Sequence, residues 1–334
     1  MASLPFNLAL VQFFADHRTA FLTNFFLAAA SFGSAGVYIL FAILIYVAYN
    51  KQLAIRLSIL ILLTMALNDL LKLAIRNPRP FIREGTWQQK WAVSPQSAKA
   101  LAAEYSTPSG HAMGSSAFYS YLYACIHNRA ARTFAVAAIL LIGISRPYLG
   151  VHFVEDVLIG WAIGVTMALV SIRYSEAITS AWSQLSYTQQ IVTTVAGSLA
   201  LWLLAVLLNG RQIAGPPRDV LYYGGFLTGI IIARPLEMSK VNFDPRSSSP
   251  LTKTLRYLLS VAMVISTLFI LGEAFGVVVD RSSILWNLAE YLRFTAAGFV
   301  TVFLAPLLFT RIGWAKSVTI CADSSNKKLL SERP

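Results

Sequence analysis

The chain has 334 residues, of which 56% are hydrophobic and only 13% charged. Soluble domains carry about a quarter charged residues, so most of this surface faces something other than water. The net charge of +12 sits in short segments between apolar runs, the pattern of loops flanking membrane spans rather than of a nucleic-acid-binding surface.

Residues 5–16 (PFNLALVQFFAD) predict a short amphipathic segment lying at an interface. The start of the chain has no basic stretch leading into a short apolar core and small-residue cleavage site, so no cleaved signal peptide is expected. Apolar runs then predict nine spans, at about 20–48, 54–75, 111–127, 132–147, 155–173, 190–209, 219–235, 256–275 and 285–310. The seventh contains Gly224, Gly225 and Gly229, tolerable where neighbouring helices satisfy the backbone. The expected fold is all-α: a polytopic transmembrane helix bundle with an interfacial segment over 1–19, a five-span catalytic core over 20–175, a four-span bundle over 176–312 and a tail over 313–334. Cys125, in an apolar run, and Cys321, in the tail, make no metal-site spacing and predict no disulfide.

Charge orients the bundle. One set of connections and the tail hold fifteen basic residues, Lys51, Arg56 and Arg256 among them; the other holds nine, three further basic residues being set aside for chemistry. The positive-inside rule then places the tail in the cytoplasm, and the N-terminus and the long loop 76–110 outside. In that loop Trp87 and Trp91 suit an aromatic belt, and Gln88, Gln89, Gln96 and Glu104 read as solvated loop polarity.

Three segments place polar residues where a membrane protein avoids them: Lys72-x6-Arg79-Pro80, Pro108-Ser109-Gly110-His111, and Ser145-Arg146-x5-His152-x3-Asp156. The expected topology puts all three at one membrane face. Lys72, Arg79 and Arg146 would there focus three positive charges, costly unless a multiply charged anion is the ligand. Arginine's planar fork suits phosphate oxygens, and lysine serves as a point charge. Ser109 and Gly110 open a helix whose free N–H groups and dipole attract anions. His152 and Asp156, spaced i, i+4, share a helix face, so the carboxylate can fix the ring tautomer and leave the other nitrogen to attack. His111 is placed to protonate a departing oxygen and then activate water. No metal-ligand cluster is visible, and no cofactor is expected.

These segments resemble the signature of the phosphatidic-acid phosphatase type 2 superfamily, with all eleven signature residues matched at the family's spacing. The resemblance covers roughly residues 20–175. It implies His152 as nucleophile, His111 as acid and base, Asp156 as its orienting partner, and phosphate binding by Lys72, Arg79, Arg146, Ser109 and Gly110. Two spans before Pro108-Ser109-Gly110-His111, and the stretch Ser145-Arg146-Pro147-Tyr148-Leu149, are similar to the glucose-6-phosphatase branch; Asp156 follows the lipid-phosphatase branch. The expected function is a metal-independent phosphatase for a lipid phosphomonoester or diphosphate (polyprenyl phosphate or diphosphate, phosphatidylglycerol phosphate or phosphatidic acid) that works through a phosphohistidine. Its partners would be that lipid and the bilayer. A sugar-phosphate phosphatase and a transporter or scaffold with a relict phosphate site are the rivals. Intact histidines oppose the latter, since a binding-only site needs neither nucleophile nor acid. The expected location is a bacterial plasma membrane with the site facing outside, or an endoplasmic-reticulum membrane with a luminal site.

Overall fold

The computed structural model describes residues 4–82, 101, 104–210 and 218–317. Trp87, Trp91, Gln88, Gln89, Gln96 and Cys321 lie outside these residues. Helices α1 (Ala9–Asp16), α2 (Ala20–Ser31), α3 (Ala35–Ala48) and α4 (Lys51–Ile75) lead to the first motif. α5 (Gly110–Cys125), α6 (Arg129–Tyr148) and α7 (Val154–Arg173) carry the other two. α8 (Ser175–Ser183), α9 (Tyr187–Leu208), α10 (Asp219–Lys240), α11 (Pro250–Val278) and α12 (Ile284–Phe299) follow, and a π-helical turn, Val300–Leu304, continues α12 into α13 (Ala305–Arg311).

Local chemistry sets the helix starts. Asn50, Ser109, Asn128, Ser186 and Ser249 each accept a first-turn N–H at the N-cap, satisfying one of the donors a helix start leaves free. Pro250 follows Ser249 at the first helical position, where its missing N–H costs nothing.

Helices occur at every segment expected to span, but the count of about nine is not confirmed. Among the described residues, six helices are long and apolar enough to cross a membrane, seven if α2 and α3 form one span broken by a 54° bend. α5 has 16 residues, about 24 Å at the rise of an α-helix. α10 carries Asp219, Arg234, Glu237 and Lys240. Both are heavily enclosed by neighbouring helices, so neither has to be long or uniformly apolar to suit lipid.

Close backbone approach makes that enclosure possible. A Cβ on Gly160 of α7 would lie 2.9 Å from the Ser109 carbonyl oxygen and 3.1 Å from Ala112 Cβ; one on Gly164 would collide with Ser116 Oγ and the Met113 carbonyl. The small residues on one stripe of α7 thus let it lie directly on α5.

The two ends of the bundle are tied differently. At the end away from the motifs, Lys51 Nζ pairs with Glu237 Oε1 at 2.8 Å and Arg246 Nε donates to the Tyr49 carbonyl at 3.1 Å. Arg256, counted above among the orienting loop charges, is instead buried. It donates to Ser248 Oγ and to the carbonyls of Trp314 (2.9 Å) and Val47 (3.3 Å), because a guanidinium has five donors for the loose carbonyls of converging chain ends. At the motif end, Arg76 closes α4 in the left-handed region (φ 54°, ψ 34°) and donates to the Leu208 carbonyl at the end of α9.

Candidate active site

Asp156, in the first turn of α7, is fully buried, a position that requires its charge to be fully hydrogen-bonded. Its Oδ2 accepts from the Phe153 N–H at 2.9 Å and from Ser106 Oγ; its Oδ1 accepts from Thr107 Oγ1. His152 Nδ1 lies 3.4 Å from the same Oδ2 and 3.3 Å from Ser106 Oγ. The ring is held in a turn that Gly150 makes with φ +78°, a conformation that side chains resist, while the Val151 N–H caps the Arg146 carbonyl at 3.2 Å.

Arg79 fixes the tautomer. Its Nη1 lies 3.1 Å from His152 Nε2 and donates to the Val151 carbonyl at 3.1 Å. A guanidinium only donates, so Nε2 is the acceptor and the ring proton sits on Nδ1, facing Asp156. Burial pushes the His152 imidazole well below its usual range, and the charges of Arg79, Arg146 and Lys72 push the same way. His152 therefore presents a neutral ring with its Nε2 lone pair turned toward the cations.

Those cations come from three elements. Lys72 stands in the last turn of α4 and Arg79 in the loop after it. Arg146 stands in the last turn of α6, with a buried Nε that has no partner among the described residues. Glu104 bridges two of them: its Oε2 is 2.9 Å from Lys72 Nζ and 2.9 Å from Arg79 Nη2. Burial pushes the Glu104 carboxyl up, but Lys72 and Arg79 outweigh it and hold the group below the usual carboxylate range. Glu104 was read above as loop polarity; it is an ion-pair partner of two site cations.

The second motif opens α5. Ser109 is buried, its Oγ accepting from the Ala112 N–H at 3.5 Å and its N–H donating to the Asp156 carbonyl at 3.0 Å. Its hydroxyl proton is what it can still offer an anion, beside the first-turn N–H groups of Gly110 and His111. His111 feels the charges of Arg146, His152, Lys72 and Arg79. At the bend between α2 and α3, a Cβ on Gly33 would lie 3.1 Å from His111 Cδ2, so the break in the first expected span packs against this ring. Among the described residues, no three His, Cys, Asp or Glu side chains assemble to hold a metal ion.

All eight expected site residues thus fall at one end of the bundle. The sequence reading missed Ser106, Thr107 and their support: Asn77 Nδ2 donates to Thr107 Oγ1 at 2.9 Å, and the Asn77 carbonyl accepts the Ser106 N–H at 2.7 Å. It also missed Asn68, whose Nδ2 donates to the Pro108 carbonyl at 3.2 Å. The available signal was a pair of hydroxyls next to Pro108, ahead of a carboxylate destined for burial. The N-terminal segment closes over the same region. Phe6 packs edge-on against Phe153 at 5.7 Å, the Asn7 N–H donates to Glu155 Oε1 at 3.1 Å, and Arg18 Nε donates to the Tyr148 carbonyl at 2.9 Å.

This arrangement offers a nucleophilic nitrogen, an oriented proton on its far side, a helix N-terminus and three cations around one small volume, a combination suited to transferring a multiply charged phosphoryl group. Phosphatidylglycerophosphatase B of Bacillus subtilis (strain 168) is 34% identical over 83 residues, 22% of this chain and 41% of that protein; the match thus spans about two fifths of the relative's length. Among solved structures, the first transmembrane PAP2 type phosphatidylglycerolphosphate phosphatase from Bacillus subtilis is 22% identical with a TM-score of 0.43, covering 51% of this chain and 85% of that one. Aquifex aeolicus LpxE is 24% identical with a TM-score of 0.42, covering 50% and 95%. Residues 53–180 match the PAP2 superfamily and residues 221–317 match the PAP2 superfamily phosphatase transmembrane extension. With both matches on one polytopic helical chain, the protein belongs to the PAP2 superfamily.

Proposed function

We propose that the protein is an integral-membrane phosphatase that hydrolyses a lipid phosphomonoester or diphosphate through a phosphohistidine on His152. The observation that carries this reading is the buried His152 ring held between Asp156 Oδ2, 3.4 Å from Nδ1, and Arg79 Nη1, 3.1 Å from Nε2, with Lys72 and Arg146 acting on the same ring. In the first step the Nε2 lone pair forms a bond to phosphorus as the bond to the leaving oxygen breaks, and His111 gives that oxygen a proton. In the second, His111 takes a proton from water, the water oxygen bonds to phosphorus, and the N–P bond breaks to release inorganic phosphate and the neutral ring. Asp156 stabilises the positive charge that the ring carries between the two steps. Lys72, Arg79, Arg146, Ser109 and the Gly110 N–H hold the equatorial oxygens through both transfers.

The relative's name, phosphatidylglycerophosphatase B, and a site at the end of apolar helices support a lipid substrate that presents its phosphate without leaving the bilayer. Phosphatidylglycerol phosphate, phosphatidic acid and polyprenyl phosphate or diphosphate are the candidates. The charge split supports a site facing the outside or the lumen, and the ties from Arg76 to α9 and from Lys51 to α10 support a scaffolding role for the C-terminal bundle. The purified protein, assayed without added metal against these lipids and glucose 6-phosphate, should prefer a lipid, resist excess chelator and be inhibited by vanadate. Faster turnover of glucose 6-phosphate than of every lipid would move the reading to a sugar phosphatase; activity lost to chelator and restored by zinc or magnesium would end the metal-free mechanism.

A further inference from the structure

Glu104 stands where an incoming anion has to bind. The side chains of the two cations it joins are only 14% (Lys72) and 1% (Arg79) exposed, whereas that of Glu104 is 51% exposed. The cations are therefore enclosed, and the carboxylate lies over them at the mouth. Arg79 is further held by Val151 and His152. Glu104 is anchored separately through its backbone: its N–H donates to the Leu101 carbonyl at 3.1 Å and its own carbonyl accepts from Arg79 Nε at 3.2 Å. Its side chain can leave for water with those bonds intact.

The charges decide what can take its place. Glu104 brings one negative charge to two of three cations, and the buried Arg146 Nε has no partner among the described residues. A phosphomonoester dianion brings two charges and three terminal oxygens, enough to replace the carboxylate and reach the third cation as well. A phosphodiester brings one charge, like Glu104 itself, and must also give up its freedom on binding. We propose that Glu104 is a specificity-determining residue: its carboxylate occupies the phosphoryl seat on Lys72 and Arg79 in the resting protein, yields it to phosphomonoester dianions, and holds it against phosphodiesters. Head groups of ordinary phospholipids are phosphodiesters and crowd the same membrane surface, so the site stays clear of the most abundant anions around it. The inference rests on the phosphatase reading above.

The test uses the purified full chain in mixed micelles, measuring kcat and KM for a phosphomonoester lipid and inhibition by phosphatidylglycerol and by inorganic phosphate. If the carboxylate holds the seat about nine-tenths of the time, removing it raises the affinity of a competitor about tenfold. In Glu104→Gln, phosphatidylglycerol should become a competitive inhibitor with Ki at least about tenfold lower than for the wild type. Inorganic phosphate, which has to displace the same carboxylate, should gain by a similar factor, and Glu104→Asp, which keeps the charge, should restore most of the exclusion. If Gln does not fold, Glu104→Ala gives the same comparison. An unchanged Ki for phosphatidylglycerol, or weaker binding of both anions together with a lower kcat, would overturn the proposal and make Glu104 a prop for Lys72 and Arg79. A wild-type protein with neither turnover nor phosphate inhibition would overturn the phosphatase reading itself.

Discussion

Replacing Asp156 by Asn removes one charge and almost no volume. The acceptor load is uneven: Oδ2 receives the Phe153 N–H and Ser106 Oγ and faces His152 Nδ1, while Oδ1 receives only Thr107 Oγ1. An amide oxygen at the crowded position keeps three of these contacts. The amide nitrogen would then face Thr107, whose hydroxyl can turn to accept, so the tautomer of His152 survives. What is lost is the charge that stabilises the ring once it bears a phosphoryl group. A hydrogen bond to a charged group is worth about 1.5–3 kcal/mol, which places the loss in kcat at roughly 10- to 150-fold. The loss should fall on kcat with KM little changed, measured on a phosphomonoester lipid in micelles, while the thermal midpoint shifts by only a few degrees. Ser106→Ala, which removes a neutral donor, should cost about tenfold or less. A kcat for Asp156→Asn within twofold of the wild type would refute the role given to Asp156.

His152→Ala should abolish turnover, while His111→Ala should still form a phosphoenzyme with a good leaving group; full activity in the His152 variant would end the mechanism. Nitrogen NMR of labelled histidine should find the His152 ring neutral and protonated on Nδ1 at pH 6, below the usual value of about 6.5, and an imidazolium there, or a proton on Nε2, would contradict the Arg79 contact. Because the folded value is the lower one, the unfolded chain binds the proton first. Destabilisation from this group should begin as the pH falls below about 6.5 and grow until the folded value is reached. Gly164→Ala should destabilise the bundle sharply, since its Cβ meets the Met113 carbonyl as well as Ser116 Oγ, and the backbone cannot move aside as a side chain can; a thermal midpoint equal to the wild type would contradict the α5–α7 contact. A cysteine placed near Gln88, with Cys125 and Cys321 replaced, should react with an impermeant reagent in intact cells, and protection there would invert the topology.

The motif residues were legible because their chemistry is dense: Lys72, Arg79, Arg146, His111, His152 and Asp156 are polar residues at helix ends in an apolar chain, with spacing that turns them one way. Ser106, Thr107 and Asn68 were not, because a hydroxyl or amide acquires meaning only once the buried group it serves is known. Glu104 was misread because its partners lie 32 and 25 positions away, beyond any local pattern. Arg256 was misread because a guanidinium that gathers carbonyls looks, in sequence, like any loop charge. Helix positions followed from apolar runs, but hydropathy alone missed the bend after Ser31, where Gly33 and Ser34 interrupt an otherwise apolar run, and it could not tell how far neighbouring helices enclose α5 and α10.

The buried residues of α7 include Asp156, Gly160, Gly164 and Ala168, one every four positions. The stripe that interlocks α7 with α5 therefore begins at the carboxylate that orients His152. Two helices joined along such a seam can tilt together as the bilayer thins or thickens, but neither can turn about its own axis without driving backbone into backbone. The aim of Asp156 at His152 is in that sense geared to the seam, and the geometry at the membrane surface is insulated from mechanical changes in the lipid around it.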